Sequence, residues 1–210
     1  MKLPDAHQFL PHLLGTYELE LHDTILELSQ TPFARHIHVG AAQGFYAVGL
    51  ARLQPHAKVT AFEENEATGA VLKSAAEAND VIDRFDLRGR CEQKELLAAI
   101  DQADGPTFLL VDIEGGELAL LSAELVAQLK GFTILVETHD LFVDGCSATL
   151  QRRFAGAFHV IVRTSRNRTY YDFPKALAQR FWWIPRSIRA ELLKERTSSH
   201  QEWLVCVPRR

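Results

Sequence analysis

The run Phe108-Leu109-Leu110-Val111, apolar at every position and followed at once by Asp112, constrains this chain more than any other feature. A strand with one wet face alternates between apolar and polar residues. One that never alternates is covered on both faces, as in a parallel sheet between layers of helix. The surrounding sequence repeats the unit. Ile37-His38-Val39-Gly40 and Lys58-Val59-Thr60-Ala61-Phe62 read as strands, followed by helical spacing over Phe45 to Leu53 and at Ala67, Ala70, Val71, Ala75 and Ala78. Asp86 to Arg90 is a weaker strand before a helix over Glu95 to Ile100, and Leu118, Leu121, Leu125 and Leu129 lead into the buried strand Phe132 to Val136. Phe158 to Val162 and Trp203 to Val207 supply two more strands. This alternation predicts an α/β three-layer sandwich, with right-handed crossovers placing helices on both faces of a doubly wound, mostly parallel sheet.

A length of 210 residues suits one domain. Helical spacing at Phe9, Leu10, Leu13 and Leu14, and again at Ile25, Leu26 and Leu28, predicts an N-terminal helical cover over residues 1–30. The domain proper then occupies residues 31–210. Its last two strands are separated by about 40 residues, longer than an ordinary connection, which predicts an insertion near 165–200 with helices of its own.

In a doubly wound sheet ligands bind beyond the carboxyl ends of the strands, so the polar and small residues there become candidates. The first strand ends in Gly40-Ala41-Ala42-Gln43-Gly44, where small residues let the backbone approach a ligand and the following helix offers free N–H donors. The alternate-position pattern Gly40, Ala42, Gly44 differs from the GxGxxG of a dinucleotide site. The second strand ends in Phe62-Glu63-Glu64-Asn65. A carboxylate there can accept both ribose hydroxyl protons of a nucleoside, a role that suits Glu63; Glu64 also suits the start of the next helix.

Four segments in order, residues 38–46, Ala61-Phe62-Glu63-Glu64-Asn65, Leu110-Val111-Asp112-Ile113-Glu114-Gly115-Gly116-Glu117 and Ile134-Leu135-Val136-Glu137-Thr138-His139, resemble the FkbM-type methyltransferases, which use S-adenosylmethionine (SAM). The resemblance spans roughly residues 36–140. It implies a seven-stranded Rossmann-like class I methyltransferase sheet, SAM above the first, second and fourth strands, and transfer to a hydroxyl oxygen of a small molecule or glycan. It also implies a cofactor site of His38, Gly40, Ala42, Gly44, Phe45, Glu63, Glu64 and Asp112. The family pattern has an aspartate where this chain has His38. Either a neutral His38 accepts a hydrogen bond in its place or Glu18, from the Gly15-Thr16-Tyr17-Glu18 turn, supplies the charge.

For the chemistry, a hydroxyl acceptor benefits from a base, and Asp112, Glu114, Glu137 and His139 stand at the ends of adjacent central strands. His139 is the candidate base, with Glu137 or Asp140 orienting its ring, and Glu137 and Asp112 complete the catalytic set. The same donors could hold Mg²⁺ or another divalent ion, but no metal ligand is assigned from sequence. Glu117 reads as an acid opening a helix. Two other readings of the fold are an RNA-modifying methyltransferase and a noncatalytic SAM-binding protein.

Charge bears on the first of these. Residues 1–150 hold 10 Lys+Arg and 23 Asp+Glu (−13), and residues 151–210 hold 13 and 4 (+9). A basic C-terminal third could meet a nucleic acid, yet no Asn-Pro-Pro-Tyr, Asp-Pro-Pro-Tyr or Pro-Cys signature of base modification occurs. No apolar stretch is long enough for a membrane span, Met1-Lys2-Leu3-Pro4-Asp5 lacks the features of a secretory leader, and Cys91, Cys146 and Cys206 lack the spacing of a zinc or disulfide framework. The expectation is a cytoplasmic protein without a membrane partner.

Overall fold

The computed structural model describes residues 6–195 and 201–209, so the first five positions of the N-terminal cover lie outside the described residues. In chain order, α1 (Ala6–Leu14) and α2 (His22–Gln30) precede β1 (Arg35–Val39). There follow α3 (Phe45–Leu53), β2 (Lys58–Phe62), α4 (Glu66–Ala78), β3 (Phe85–Arg88), α5 (Gln93–Asp101) and β4 (Thr107–Val111). Next come α6 (Glu117–Leu120), α7 (Ala123–Gln128), β5 (Thr133–Thr138), α8 (Cys146–Phe154) and β6 (Phe158–Thr164). The chain finishes with α9 (Lys175–Arg180), α10 (Arg186–Glu191) and β7 (Glu202–Pro208). The strands form one seven-stranded sheet in the order β3-β2-β1-β4-β5-β7-β6. Neighbours from β3 to β5 run parallel, whereas β7 is antiparallel to β5, with Val136 opposite Leu204. This is the three-layer, doubly wound, mostly parallel sheet that the apolar runs predict.

Both faces are covered. Ile37, Val39, Leu109, Val111, Ile134 and Val136 pack against Leu96 of α5, Leu125 of α7 and Leu150 and Phe154 of α8. On the opposite face, Val59 and Ala61 meet Ala47, Val48 and Ala51 of α3 and Leu72 and Ala76 of α4. Small residues on α3 and α4 let these helices lie close to the sheet. Successive strand residues alternate faces, so His36 and His38 point away from Ile37 and Val39. There they meet Phe108, with ring centroids 5.9 and 6.0 Å away. Gln54 donates to the carbonyls of Leu28 and Thr31, which leaves its Oε1 to accept from His36 Nε2 at 2.7 Å. Burial lowers the His36 pKa to about 4, so the ring is neutral near pH 7, and the Gln54 oxygen places its proton on Nε2.

The chain divides into two compact units, residues 24–163 with 202–210 and residues 1–23 with 164–201. The larger carries the sheet. The smaller joins the N-terminal helix to the long connection before β7 through Arg168, which bonds Glu20 at 2.6 Å and Glu195 at 2.8 Å with all three side chains under 10% exposed. The connection holds α9 and α10, each opened by a proline, Pro174 and Pro185, whose fixed φ suits a helix start.

Candidate functional site

Strand register sets the site. Val39 lies beside Phe62 on one flank and Val111 on the other, so β1, β2 and β4 end level and present Gly40, Glu63 and Asp112 side by side. The strand order reverses between β1 and β4, where a doubly wound sheet opens a crevice. A cleft of about 920 Å³ occupies this place, within the size range of ligand sites. Gly40, Ala42, Glu63, Glu64, Asn65, Asp112 and Glu114 line it, together with Arg90, Gln93 and Lys94, which sequence reasoning did not single out.

The floor depends on glycine at one point. Gly40 has φ +79°, and a Cβ there would fall on the carbonyl oxygen of Asp112. The next turn is tied down by Glu63. Its Oε2 accepts from the Ala42 N–H and its Oε1 from the Asn65 N–H, both at 2.9 Å, while Ala42 takes a left-handed φ of 46°. Each carboxylate oxygen keeps a second lone pair for a ligand. Glu64 pairs with Arg90 at 3.6 Å, and Asn65, rather than Glu64, caps α4 by accepting from Thr68 N.

Other expected cofactor residues lie elsewhere. Gly44 begins α3, and a Cβ there would run into Leu72 Cδ1, so its glycine serves the contact between α3 and α4. Phe45 is half exposed and packs edge-on against Tyr46, but it is not among the cleft-lining residues. His38 does not reach the cleft either. It is 1% exposed on the sheet face shared with Phe108, its Nε2 has no hydrogen-bond partner, and burial, with repulsion from His36, lowers its pKa to about 3. Glu18 belongs to the smaller unit, is 1% exposed, and donates its N–H to Glu195, so it offers no accessible carboxylate.

The candidate catalytic side chains do converge. His139 Nε2 lies 3.7 Å from Asp112 Oδ1 and 3.7 Å from Glu137 Oε2. Its other nitrogen, Nδ1, is 2.6 Å from Oε1 of Glu117, a carboxylate with no solvent exposure. The acid that opens α6 is thus also the orienting partner of His139. Asp140 is not that partner: its carboxylate accepts from the Ser147 N–H. Only the 22-residue separation of Glu117 from His139 is visible in sequence, and it carries no periodic signal. Burial disfavours the charged imidazole, but the Glu117 hydrogen bond and the charges of Glu117, Asp112 and Glu114 outweigh it and raise the His139 pKa. Burial likewise pushes Glu117 upward, and the bonds from His139 and the Gly115 N–H hold it below its usual value. The three cysteines are free; burial raises Cys91 and Cys206 to about 12 and Cys146 to about 11, so none presents a ready thiolate. Among the described residues no helix is long and apolar enough to cross a membrane.

No family profile and no curated protein matches the sequence. Solved structures do match. An O-methyltransferase from Bacillus cereus in complex with SAH is 12% identical, with a TM-score of 0.62 over 99% of this chain and 93% of that one. The O-methyltransferase TomG of Streptomyces achromogenes, involved in tomaymycin synthesis and solved with SAM, is 12% identical with a TM-score of 0.61 over 99% and 91%. A SAM-dependent O-methyltransferase from Thermotoga maritima is 14% identical with a TM-score of 0.58 over 99% and 72%. At such identities the likeness is one of architecture, and the chain has the Rossmann-like fold of the class I methyltransferases.

Proposed function

We propose that this protein is a SAM-dependent methyltransferase that methylates a hydroxyl oxygen of a small molecule or glycan. The observation that carries the reading is Glu63, fixed at the end of β2 by two backbone N–H groups and facing the cleft beside Gly40. A carboxylate held this way suits the two ribose hydroxyls of SAM, and the Gly40 turn, which a side chain would close, suits close backbone approach. The cleft has the volume for such a ligand. The four segments that resemble the FkbM-type enzymes fall at the ends of β1, β2, β4 and β5, which supports that membership. Asp112, Glu137 and His139 are the groups proposed to draw the proton from the acceptor hydroxyl, since positioning and desolvation supply much of the rest of a methyl displacement. Three free cysteines accord with a reducing, cytoplasmic setting.

The cleft also bears on the acceptor. Glu63, Glu64, Glu92, Asp112 and Glu114 face Arg90 and Lys94, an acidic lining that repels a polyanion and favours a neutral or cationic acceptor over RNA. Calorimetric titration with SAM and SAH tests the cofactor. Binding is expected, and Glu63→Gln should weaken it at least about tenfold, the value of one lost charge-assisted hydrogen bond. Absence of binding by either ligand at millimolar concentration would remove the proposal.

A further inference from the structure

The smaller unit leaves large apolar side chains in water. Trp182 and Trp183, consecutive in the turn between α9 and α10, are 78% and 66% exposed, and Tyr171 before α9 and Ile188 in α10 are 77% and 49% exposed. The turn itself is tied down. Arg189 Nη2 lies 3.0–3.2 Å from the carbonyls of Ala178, Phe181 and Trp182, closing the end of α9, and its guanidinium stands over the Phe173 ring at 5.6 Å. Phe181 meets Trp183 edge-on at 6.3 Å. The two indoles therefore project from a fixed turn.

Positive charge gathers on the same segment. Residues 173–190 hold Lys175, Arg180, Arg186 and Arg189 and no Asp or Glu. The acids on either side are already paired, Asp172 with Arg166 at 2.5 Å, Glu191 with Lys194 at 2.7 Å and Glu195 with Arg168 at 2.8 Å. Lys175, Arg180 and Arg186 are exposed, and among the described residues none of the three pairs with a carboxylate. Arg180 and Arg186 stand over the rings of Phe181 and Tyr170 at 6.0 and 4.8 Å.

We propose that the turn at Trp182 and Trp183, flanked by Lys175, Arg180 and Arg186, is a docking surface for an anionic lipid bilayer. An indole suits the headgroup boundary, where the ring leaves water and its N–H stays wet. Rings that project from a turn enter a fluid surface without a shaped pocket to receive them. Each cation near an anionic leaflet adds about fivefold in affinity. Unpaired cations and apolar rings on one short segment thus match the two layers that such a surface presents, negative headgroups over hydrocarbon. A nucleic acid offers the same charge, but it binds by stacking bases on rings along a groove, and the aliphatic surface of Ile188 adds nothing to a base stack. The contact lies in the plane of the interface; the lack of a helix long enough to span concerns a different mode of attachment.

The test needs no turnover. The full chain is mixed with phosphatidylcholine vesicles containing about 30% phosphatidylglycerol, and separately with vesicles of phosphatidylcholine alone, and binding is followed by co-sedimentation and tryptophan emission. Trp203 is buried, so a change in emission reports the exposed pair. Co-sedimentation and a blue shift are expected with the anionic vesicles, both weakened by added salt. Replacing both tryptophans, Trp182→Ser with Trp183→Ser, should lower affinity at least about tenfold, and Lys175→Gln and Arg180→Gln about fivefold each. Far-UV circular dichroism identifies any variant that fails to fold, and the charge variants keep the test open if the tryptophan variant does. No co-sedimentation with anionic vesicles at millimolar lipid, equal binding to phosphatidylcholine alone, or affinity indifferent to both sets of substitutions overturns the proposal. Salt-sensitive binding of polyuridylate without vesicle binding overturns it in favour of a nucleic acid. Self-association that the tryptophan variant loses, without vesicle binding, overturns it in favour of a second copy of the chain.

Discussion

Lowering the pH from 7.5 to 5.0 should remove several kcal/mol of folding stability, and two histidines inside the sheet set the size of the loss. Burial lowers His36 to about 4 and His38 to about 3 from an ordinary 6.5; the Gln54 hydrogen bond partly opposes this at His36, while Arg84 repels His36 and His36 repels His38. As pH falls below 6.5 the unfolded chain takes up both protons, and the folded chain takes neither until pH approaches 4. The contribution is therefore complete above 6.5 and lost on the acid side. Between the two pH values the linkage is about 2 kcal/mol per histidine, or about 4 kcal/mol together, against a total stability on the order of 5–15 kcal/mol. His139 has the opposite sign: its raised pKa makes a contribution complete below 6.5 and lost as pH rises through the folded value, so acidification restores it. Urea denaturation at both pH values, for the wild type and His38→Leu, separates these effects. The substitution keeps an apolar side chain of similar volume against Phe108 and should halve the acid loss, to about 2 kcal/mol. It should leave SAM affinity unchanged, because the ring stands outside the cleft. A wild-type loss below about 1 kcal/mol, or an undiminished loss in His38→Leu, would refute the reasoning.

Gly40→Ala places a methyl group on the Asp112 carbonyl at a left-handed φ, so β1 and β4 must separate at the cleft floor. Urea denaturation should show a loss above about 2 kcal/mol, and titration a matching loss of SAM affinity. Arg168→Leu strands the buried carboxylates of Glu20 and Glu195. The smaller unit should lose about 3–5 kcal/mol, read as faster amide exchange over 164–195 while the amides of the sheet stay protected.

How much of this was legible in the sequence differs from element to element. All seven strands were, because each is a local run of apolar or alternating residues; α3 has the expected ends, and the third strand, half-buried at the edge, begins one residue earlier at Phe85. Strand direction was not. Trp203 to Val207 is as apolar as a parallel core strand, and nothing in its composition marks the reversal beside β5. The pairing of the N-terminal segment with that connection depends on Arg168 reaching Glu20 across 148 residues, a contact without periodicity.

The site divides along the same physical line. Gly40, Glu63 and Asp112 were legible because backbone position alone puts them at the strand ends, and the level ends of β1, β2 and β4 do the rest. His38 was misplaced because its side chain takes the sheet face opposite Val39, and register against β4 sets it beside Phe108, inside the layer. Glu117 shows the converse error. A first-turn acid is ordinarily a solvated complement to the helix dipole. Here the turn through Glu114 and Gly115, both at positive φ, swings the start of α6 inward and delivers the carboxylate to His139. Backbone placement can be read from pattern, whereas a buried charge is decided by what the turn before it does. The orientation of the His139 ring therefore depends on a residue whose position beside it appears only after folding.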